Sequence, residues 1–140
     1  MEKLYGEVNA RNDAGETPLL AAVRAGAVGC VRLLLAAQAD PDKASVNGET
    51  PLLEAARLGR LVLAEALLDA GADIGKAARS GVTPLLAAIR ERHPELVRTL
   101  LARGASVDVR DAQGRGPLAY ASASGLEAIT VMLLEAGAQS

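Results

Sequence analysis

Three arginines at equal spacing are the residues of this sequence best suited to bind another molecule. Arg24, Arg57 and Arg90 lie 33 residues apart. If each occupies the same place in a repeated unit, their guanidinium groups form a row with a spacing of roughly 10 Å, the distance at which helices pack. A planar guanidinium binds carboxylate through two parallel hydrogen bonds, so the row predicts an acidic partner. The alternative is a solvated face in which the arginines pair internally with Glu54 and Glu91.

The sequence offers little for catalysis or metal binding. His93 is its only histidine and Cys30 its only cysteine, which excludes two-histidine sites, cysteine-based zinc sites and a disulfide framework. His93 precedes Pro94 at the start of a predicted helix, where we expect a capping or surface role. We expect Cys30 to be a buried structural thiol, because apolar residues occupy its place in the other repeats. No nucleophile elbow, phosphate loop or calcium loop is present, so we predict no enzyme activity, no catalytic residue, no metal and no cofactor.

The composition excludes several classes of protein. The chain has 140 residues, of which 50% are hydrophobic and 23% are charged, and these fractions exclude disorder throughout. A net charge of −2 and the lack of tryptophan and phenylalanine argue against a nucleic-acid partner. No apolar run reaches the roughly 18 residues of a membrane span, and residues 1–10 lack the apolar core of a signal peptide. We therefore expect a cytoplasmic (intracellular) protein that binds neither nucleic acid nor membranes.

The elements that must position these residues come from an internal repeat of 33 residues. Its proline column is Pro18, Pro51, Pro84 and Pro117, and its glycine column is Gly15, Gly48, Gly81 and Gly114. Columns of leucine and alanine keep the same phase without an insertion. We predict a single domain over residues 1–140, with a partial leading repeat at 1–11 and four repeats at about 12–44, 45–77, 78–110 and 111–140.

Each repeat predicts a turn, a helix, a second turn and a second helix. In the first repeat, Thr17 is suited to cap a helix over residues 18–25 that starts with proline, and a second helix is predicted over about 28–37. Glycines are placed to end most of these helices in the left-handed conformation. Gln38 and Arg92 replace two of those glycines, at a cost of roughly 1–2 kcal/mol each if they adopt it.

The segment Thr17-Pro18-Leu19-Leu20-Ala21-Ala22, which recurs in similar form from Thr50 and Thr83, resembles the T-P-L-H-x-A signature of ankyrin repeats. The resemblance covers residues 12–140. It implies a mainly α fold, a solenoid of stacked helix-turn-helix units joined by β-turn loops, here called fingers. It also implies a protein-protein interaction module or scaffold that binds on its concave side, formed by the first helices and the finger tips. A regulatory inhibitor of an enzyme such as a kinase, and an engineered ankyrin scaffold, stay open as alternatives.

The residues predicted to contact a partner follow from this resemblance. They are Arg24, Arg57, Leu58, Arg90, Glu91, Glu16, Glu49, Glu54, Arg79, Tyr120 and Arg115. The finger tips are acidic in the first two repeats and basic in the last two, and the partner is a protein for which an acidic segment is one option. Tyr120 is either a binding anchor or a space-filling residue. Because the arginines are expected to project from the stack, replacing one of them should hardly change stability.

The two ends of the stack differ in sequence. In the fourth repeat Ser122 and Thr130 stand where the other repeats have apolar residues, which predicts a polar C-terminal cap. Val23 and Val31 stay apolar in the first repeat. Unless residues 1–11 cover these valines, we expect an exposed apolar patch, and a mostly monomeric protein with weak end-to-end self-association as an option.

Overall fold

The structure, a computed structural model, describes residues 8–138. Eight helices begin and end within these residues, in four pairs. They are α1 (Pro18–Ala25) and α2 (Val28–Ala36), α3 (Pro51–Leu58) and α4 (Leu61–Asp69), α5 (Pro84–Arg90) and α6 (Pro94–Ala102), and α7 (Pro117–Ser124) and α8 (Glu127–Glu135). No strand forms between residues 8 and 138. The prediction of a mainly α solenoid, with one helix pair in each 33-residue repeat, is confirmed.

Threonine caps start the first helix of three of the four pairs. Their Oγ1 atoms accept hydrogen bonds from backbone N–H groups one turn ahead, Thr17 from Leu20 at 3.2 Å, Thr50 from Leu53 at 3.1 Å and Thr83 from Leu86 at 3.2 Å. Proline follows each threonine at the first helical position, where an N–H group would have no partner in the helix. Gly116 replaces threonine before α7, and α7 has no side-chain cap. The first helix of the fourth repeat is therefore the least firmly started.

Residues in the left-handed conformation end helices in every repeat. Gly26 follows α1 with a φ of 72°. Gln38 and Arg92, which replace glycine in this role, have φ values of 72° and 63°. Gln38 and Arg92 therefore have the strained left-handed backbone that was expected from the glycines at the same positions of other repeats.

The first helices form one layer, and the second helices pack behind it. Along the first layer α1 packs on α3, α3 on α5, and α5 on α7, while α2 packs on α4 and α6 on α8. Leu67 of α4 and Leu100 of α6 are fully buried. Since one helix pair cannot bury such a face alone, stacking of the repeats supplies the core.

The fingers are tight turns that precede the first helices, at residues 12–16, 45–49, 78–82 and 111–115. Backbone hydrogen bonds join the last three fingers: the Arg79 N–H donates to the Asn47 carbonyl at 3.2 Å and the Ala112 N–H to the Ser80 carbonyl at 2.9 Å. A Cβ atom at Gly81 would lie 2.6 Å from the Ala112 nitrogen. The glycine column thus serves both the turn, which needs a positive φ, and the close approach of the next finger.

One expectation for the first repeat is wrong, and for a second one the structure meets the alternative that the sequence left open. Cys30 is exposed, because no helix pair among the described residues covers this face of α2 from the N-terminal side. Val23 and Val31 have no exposed surface, and they share a buried cluster with Val8. The expected apolar patch is therefore absent at these two valines, as it should be if the leading segment covers them.

The end of the stack matches the predicted cap as far as the structure describes it. Ser122 is exposed and Thr130 is half-buried. The rest of the predicted leading repeat, residues 1–7, and the end of the fourth repeat, residues 139–140, lie outside the described residues.

Candidate functional site

The finger turns and the first helices together form one surface, called here the finger face; it corresponds to the concave side of the sequence prediction. In the first two repeats this face is organised around Glu54, whose side chain is 1% exposed. Glu54 accepts hydrogen bonds from Arg57 Nη2 at 2.7 Å and Nε at 3.2 Å, and from Arg24 Nη2 at 3.5 Å. Two arginines of neighbouring repeats therefore compensate one buried carboxylate, which would be costly to bury alone.

Arg24 contacts two further carboxylates on this part of the finger face. It forms an ion pair with Glu16, and its Nη2 lies 3.3 Å from Glu49 Oε1. Burial works to lower the pKa of Arg24, but its hydrogen bonds to Glu16 and Glu54 outweigh this and raise the pKa. For Arg57 the hydrogen bonds to Glu54 are the main cause of a raised pKa.

These pairs change what is expected of the arginine row. Arg24 and Arg57 are already engaged by carboxylates of the protein itself, which is the internal pairing that the sequence left open. These contacts change the expectation that replacing either one hardly affects stability: because each supports the buried Glu54, we now expect either replacement to lower the free energy of unfolding. Hydrogen bonds to charged groups typically contribute about 1.5–3 kcal/mol, and partial exposure of both arginines places their value at the low end of that range.

The third arginine of the row differs from the other two. Arg90 Nε lies 3.1 Å from Glu91 Oε2, and the two side chains are 48% and 42% exposed. An exposed pair of adjacent residues contributes little free energy. Neither Nη group of Arg90 makes a hydrogen bond to any residue between 8 and 138, so both can bind another molecule.

Tyr120 lies in a cluster at the fourth finger. Its ring is buried, and its hydroxyl donates to Asp111 Oδ2 at 2.7 Å. Arg115 Nε donates to the same oxygen at 3.0 Å, and the guanidinium carbon lies 5.4 Å from the centre of the Tyr120 ring. This placement favours the space-filling role for most of the ring.

Asp111 is the centre of that cluster. Its Oδ1 accepts the backbone N–H groups of Gln113 and Arg115, both at 2.9 Å. The hydrogen bond from Tyr120, with those two backbone N–H groups and the Arg115 side chain, lowers the pKa of Asp111 to about 2. Burial and the same hydrogen bond raise the pKa of Tyr120. In the sequence, Asp111 could be recognised only as a loop carboxylate. The signal that could have found it is an Asp at the first position of a turn with glycine, here Gly114, at the fourth.

Charge is divided unevenly along the finger face. In the first two repeats four carboxylates, Asp13, Glu16, Glu49 and Glu54, oppose two arginines, Arg24 and Arg57. In the last two repeats three arginines, Arg79, Arg90 and Arg115, oppose two carboxylates, Glu91 and Asp111. The net charge is therefore −2 in the first half and +1 in the second.

The remaining predicted residues lie apart from these clusters. Arg79 is exposed on the third finger and makes no ion pair with the residues that the structure describes. Leu58 is half-buried at the end of α3 and lines a shallow cleft with Gly59 and Arg60. The finger face thus brings together Arg24, Arg57 and their glutamates, and separately Arg90, Arg115 and Tyr120.

A recurring contact between repeats was not predicted from the sequence. Arg60 Nη2 donates to the Arg24 carbonyl at 3.1 Å, and His93 Nε2 lies 3.0 Å from the Arg57 carbonyl. Because a carbonyl only accepts, His93 is assigned the tautomer with a proton on Nε2. Arg60 and His93 each directly precede the second helix of their own repeat. Their side chains reach the last turn of the first helix of the preceding repeat, where carbonyls lack partners within the helix. The signal was a polar residue at the same place in two successive repeats.

The surroundings of these contacts explain the glycines beside them. A Cβ atom at Gly59 would lie 2.6 Å from His93 Cε1, and one at Gly26 would lie 2.7 Å from Arg60 Nη1. Glycine therefore suits both positions: it adopts the left-handed conformation without strain, and a larger residue would have to displace the Arg60 or His93 side chain.

Between residues 8 and 138, no group of three or more His, Cys, Asp or Glu side chains is placed to hold a metal ion. No helix in this part of the chain is long and apolar enough to cross a membrane.

A family model described as ankyrin repeats (3 copies) matches residues 1–78 and again residues 73–140. Among curated proteins, no sequence matches.

Proposed function

Because this chain belongs to the ankyrin repeat family, whose repeats generally mediate protein-protein interaction, we propose that its finger face binds a partner protein. The family is typically non-catalytic, and the proposal includes no reaction. The observation that carries it is an exposed charged surface on a stiff support, since backbone hydrogen bonds join the second finger to the third and the third to the fourth. A surface ordered before binding loses little conformational entropy when a partner docks.

The proposed contact residues are those predicted from the sequence, with roles that the contacts suggest. Arg79, Arg90, Glu91 and Arg115 are exposed and reach a partner directly. Glu16, Glu49, Arg24 and Arg57 form the charged surface of the first two repeats, with Leu58 at its edge. Glu54 and Tyr120 are buried and support binding indirectly, because Glu54 holds Arg57 and Tyr120 holds Arg115 in place.

The test is capture of partners from a cell lysate on the immobilised chain, with identification by mass spectrometry and binding measurements on the purified partner. Arg79→Ala is the cleanest variant, since Arg79 is exposed and unpaired among the described residues. We expect it to weaken binding by about 0.5–2 kcal/mol, mainly through slower association at low salt. Arg32→Ala is the matched control, because Arg32 is exposed on α2, in the second-helix layer. Equal binding by both variants would place the interface elsewhere.

An inhibitor of an enzyme such as a kinase would be one form of this function, and the identity of the captured protein decides it. We further propose that the chain is monomeric. Burial of Val23 and Val31 removes the apolar patch on which end-to-end association was predicted to depend. Sedimentation at rising concentration checks this, and a mass that grows with concentration would contradict it.

A further inference from the structure

A small cleft opens on the finger face between α5 and α7. It has a volume of about 180 Å³ and is lined by Arg90, Arg115, Ala119, Tyr120, Ala123 and Ser124. The two arginines and the tyrosine ring supply polar walls, and the two alanines and the serine leave the space open. The cleft is smaller than the roughly 300–1,000 Å³ pockets that take drug-sized molecules, so its size suits one side chain.

The cleft exists because the fourth repeat departs from the other three at two columns. Ala119 stands where the other repeats have Leu20, Leu53 and Leu86, and Ala123 stands where they have Arg24, Arg57 and Arg90. Two truncated side chains on one face of α7 leave room beside α5. The last position of the arginine row is therefore a cavity next to Arg90.

Both arginines of the cleft keep their outer amino groups available. Arg90 uses Nε for Glu91, and Arg115 uses Nε for Asp111. Within residues 8–138 no hydrogen bond involves the Nη atoms of either side chain. Arg115 is also held over the Tyr120 ring, which fixes the direction of its guanidinium group. Arg24 and Arg57 differ, because carboxylates of the chain engage both Nη groups of Arg24 and the Nη2 group of Arg57.

We propose that this cleft binds one carboxylate side chain from an acidic segment of the partner protein. The proposal rests on the proposed function and specifies the partner chemistry at one point of the finger face. A guanidinium group offers paired N–H donors that match the two oxygens of a carboxylate. The charge along the finger face also favours this place, since an acidic segment is repelled by the net negative first two repeats and attracted by the net positive last two. The anchor of the acidic segment is then Arg90 with Arg115, and not the central Arg57.

The experiment is an NMR titration of the full-length ¹⁵N-labelled chain with N-acetyl-glutamate N-methylamide, compared with its glutamine analogue. We expect saturable shifts of the backbone amides of Ala119–Ser124 and of the Nε–H signals of Arg90 and Arg115 with the carboxylate, and none with the amide. Arg90→Ala should weaken this binding about tenfold, since it removes a charge-assisted donor pair. Arg32→Ala is the control that should bind like the parent.

A second variant tests the cleft without removing a charge. Ala119→Leu introduces the residue found at this position in the other three repeats, and it fills the cleft while both arginines stay. We expect it to abolish the saturable shifts while thermal unfolding shows that the chain is folded. Equal shifts with the glutamine analogue, or shifts unchanged in Ala119→Leu, would overturn the proposal. Tighter binding of inorganic phosphate than of the glutamate compound would overturn the assignment to a carboxylate.

The cleft and the finger-face function fail separately. A captured partner that binds Ala119→Leu and the parent equally well would overturn the cleft and leave the function standing. Saturable glutamate binding with no partner captured from any lysate would support the cleft and contradict the function.

Discussion

Left-handed backbone at non-glycine residues is a local weakness that single substitutions can test. Gln38 has a φ of 72° at the place where Gly71 stands in the next repeat. Gln38→Gly should raise the free energy of unfolding by about 0.5–1 kcal/mol, because relief of left-handed strain exceeds the extra chain entropy of glycine. Urea denaturation measures it. Gly71→Gln is the reverse change in a position with no neighbour within 4 Å, and it should destabilise by a similar amount. A loss of stability on Gln38→Gly would show that the glutamine side chain makes a compensating contact.

Asp111 gives the fourth repeat an acid-sensitive stability. Its pKa in the folded protein, about 2, is below the ordinary value of 3.8. A lowered pKa stabilises the fold above the ordinary value, and that contribution is lost as the pH falls from about 4 towards 2. We expect the thermal midpoint to fall over this range, and to fall less in Asp111→Asn, which has no charge to lose.

The exposed Asp108 provides the control for that measurement. Asp108→Asn lies three residues away, outside the Tyr120 cluster, and should keep the acid dependence of the parent. Tyr120→Phe should reduce the acid dependence, because it removes the hydrogen bond that contributes most to the lowered pKa. Identical curves for Asp111→Asn and the parent would contradict the assignment.

Backbone requirements were predictable from the sequence at the level of single residues, whereas side-chain burial and the choice between alternative side-chain partners were not. Thr17 and Arg92 occupy columns that fix a cap and a left-handed turn, since these depend on position in the repeat. Cys30 was misplaced because its column is buried only where a neighbouring helix pair covers it. The burial of Glu54 was missed for a related reason, because its column holds alanine in two other repeats; its pairing with the arginines was foreseen only as an alternative.

At the scale of elements, the junction between repeats depends on side chains that stand just before one helix and cap the C-terminal end of a helix in the preceding repeat. The ring of His93 closes the C-terminal end of α3 by donating to the Arg57 carbonyl at 3.0 Å. His93→Ala should lower the free energy of unfolding by about 0.5–1.5 kcal/mol, the usual net value of one hydrogen bond. Of the capping and surface roles that the sequence left open for His93, this contact fits capping, whereas a purely surface role would make the substitution nearly neutral.

Two companion variants separate this hydrogen bond from general effects on α6. Arg98→Ala removes an exposed ion pair with Glu95 on the same helix, and it should cost less than about 0.5 kcal/mol in urea denaturation. His93→Gln keeps a donor of similar reach and should recover part of the loss. If His93→Ala and Arg98→Ala unfold at the same urea concentration as the parent, the contact does not stabilise the junction.

The order of the helix pairs was predictable because each column repeats without an insertion, and the fold follows from that order. The orientation of a partner was not, because it depends on which charges are neutralised within the chain. Arg24 and Arg57 look equivalent to Arg90 in sequence, yet three glutamates engage the first two, while a single exposed glutamate adjoins the third. The distribution of available charge is therefore a property of the whole stack.

Stability should also vary along the stack, with its maximum in the middle. The central first helices α3 and α5 each bury six residues, whereas the terminal α1 and α7 each bury three. An inner repeat packs against two neighbours, so it opens only when two interfaces are lost. Amide hydrogen exchange should therefore be slowest in α3 and α5 and faster in α1 and α7.

One substitution in the centre distinguishes this gradient from differences among the helices themselves. Leu67 of α4 is fully buried, and Leu67→Ala should cost about 2–5 kcal/mol by leaving a cavity. If coupling between repeats produces the protection, this change should accelerate exchange in α3 and also in the neighbouring α1 and α5, which rely on the second repeat for an interface. If the helices are protected independently, exchange should accelerate in the second repeat alone. Uniform protection along the parent chain would contradict the gradient itself, because it would mean that the stack opens only as one unit.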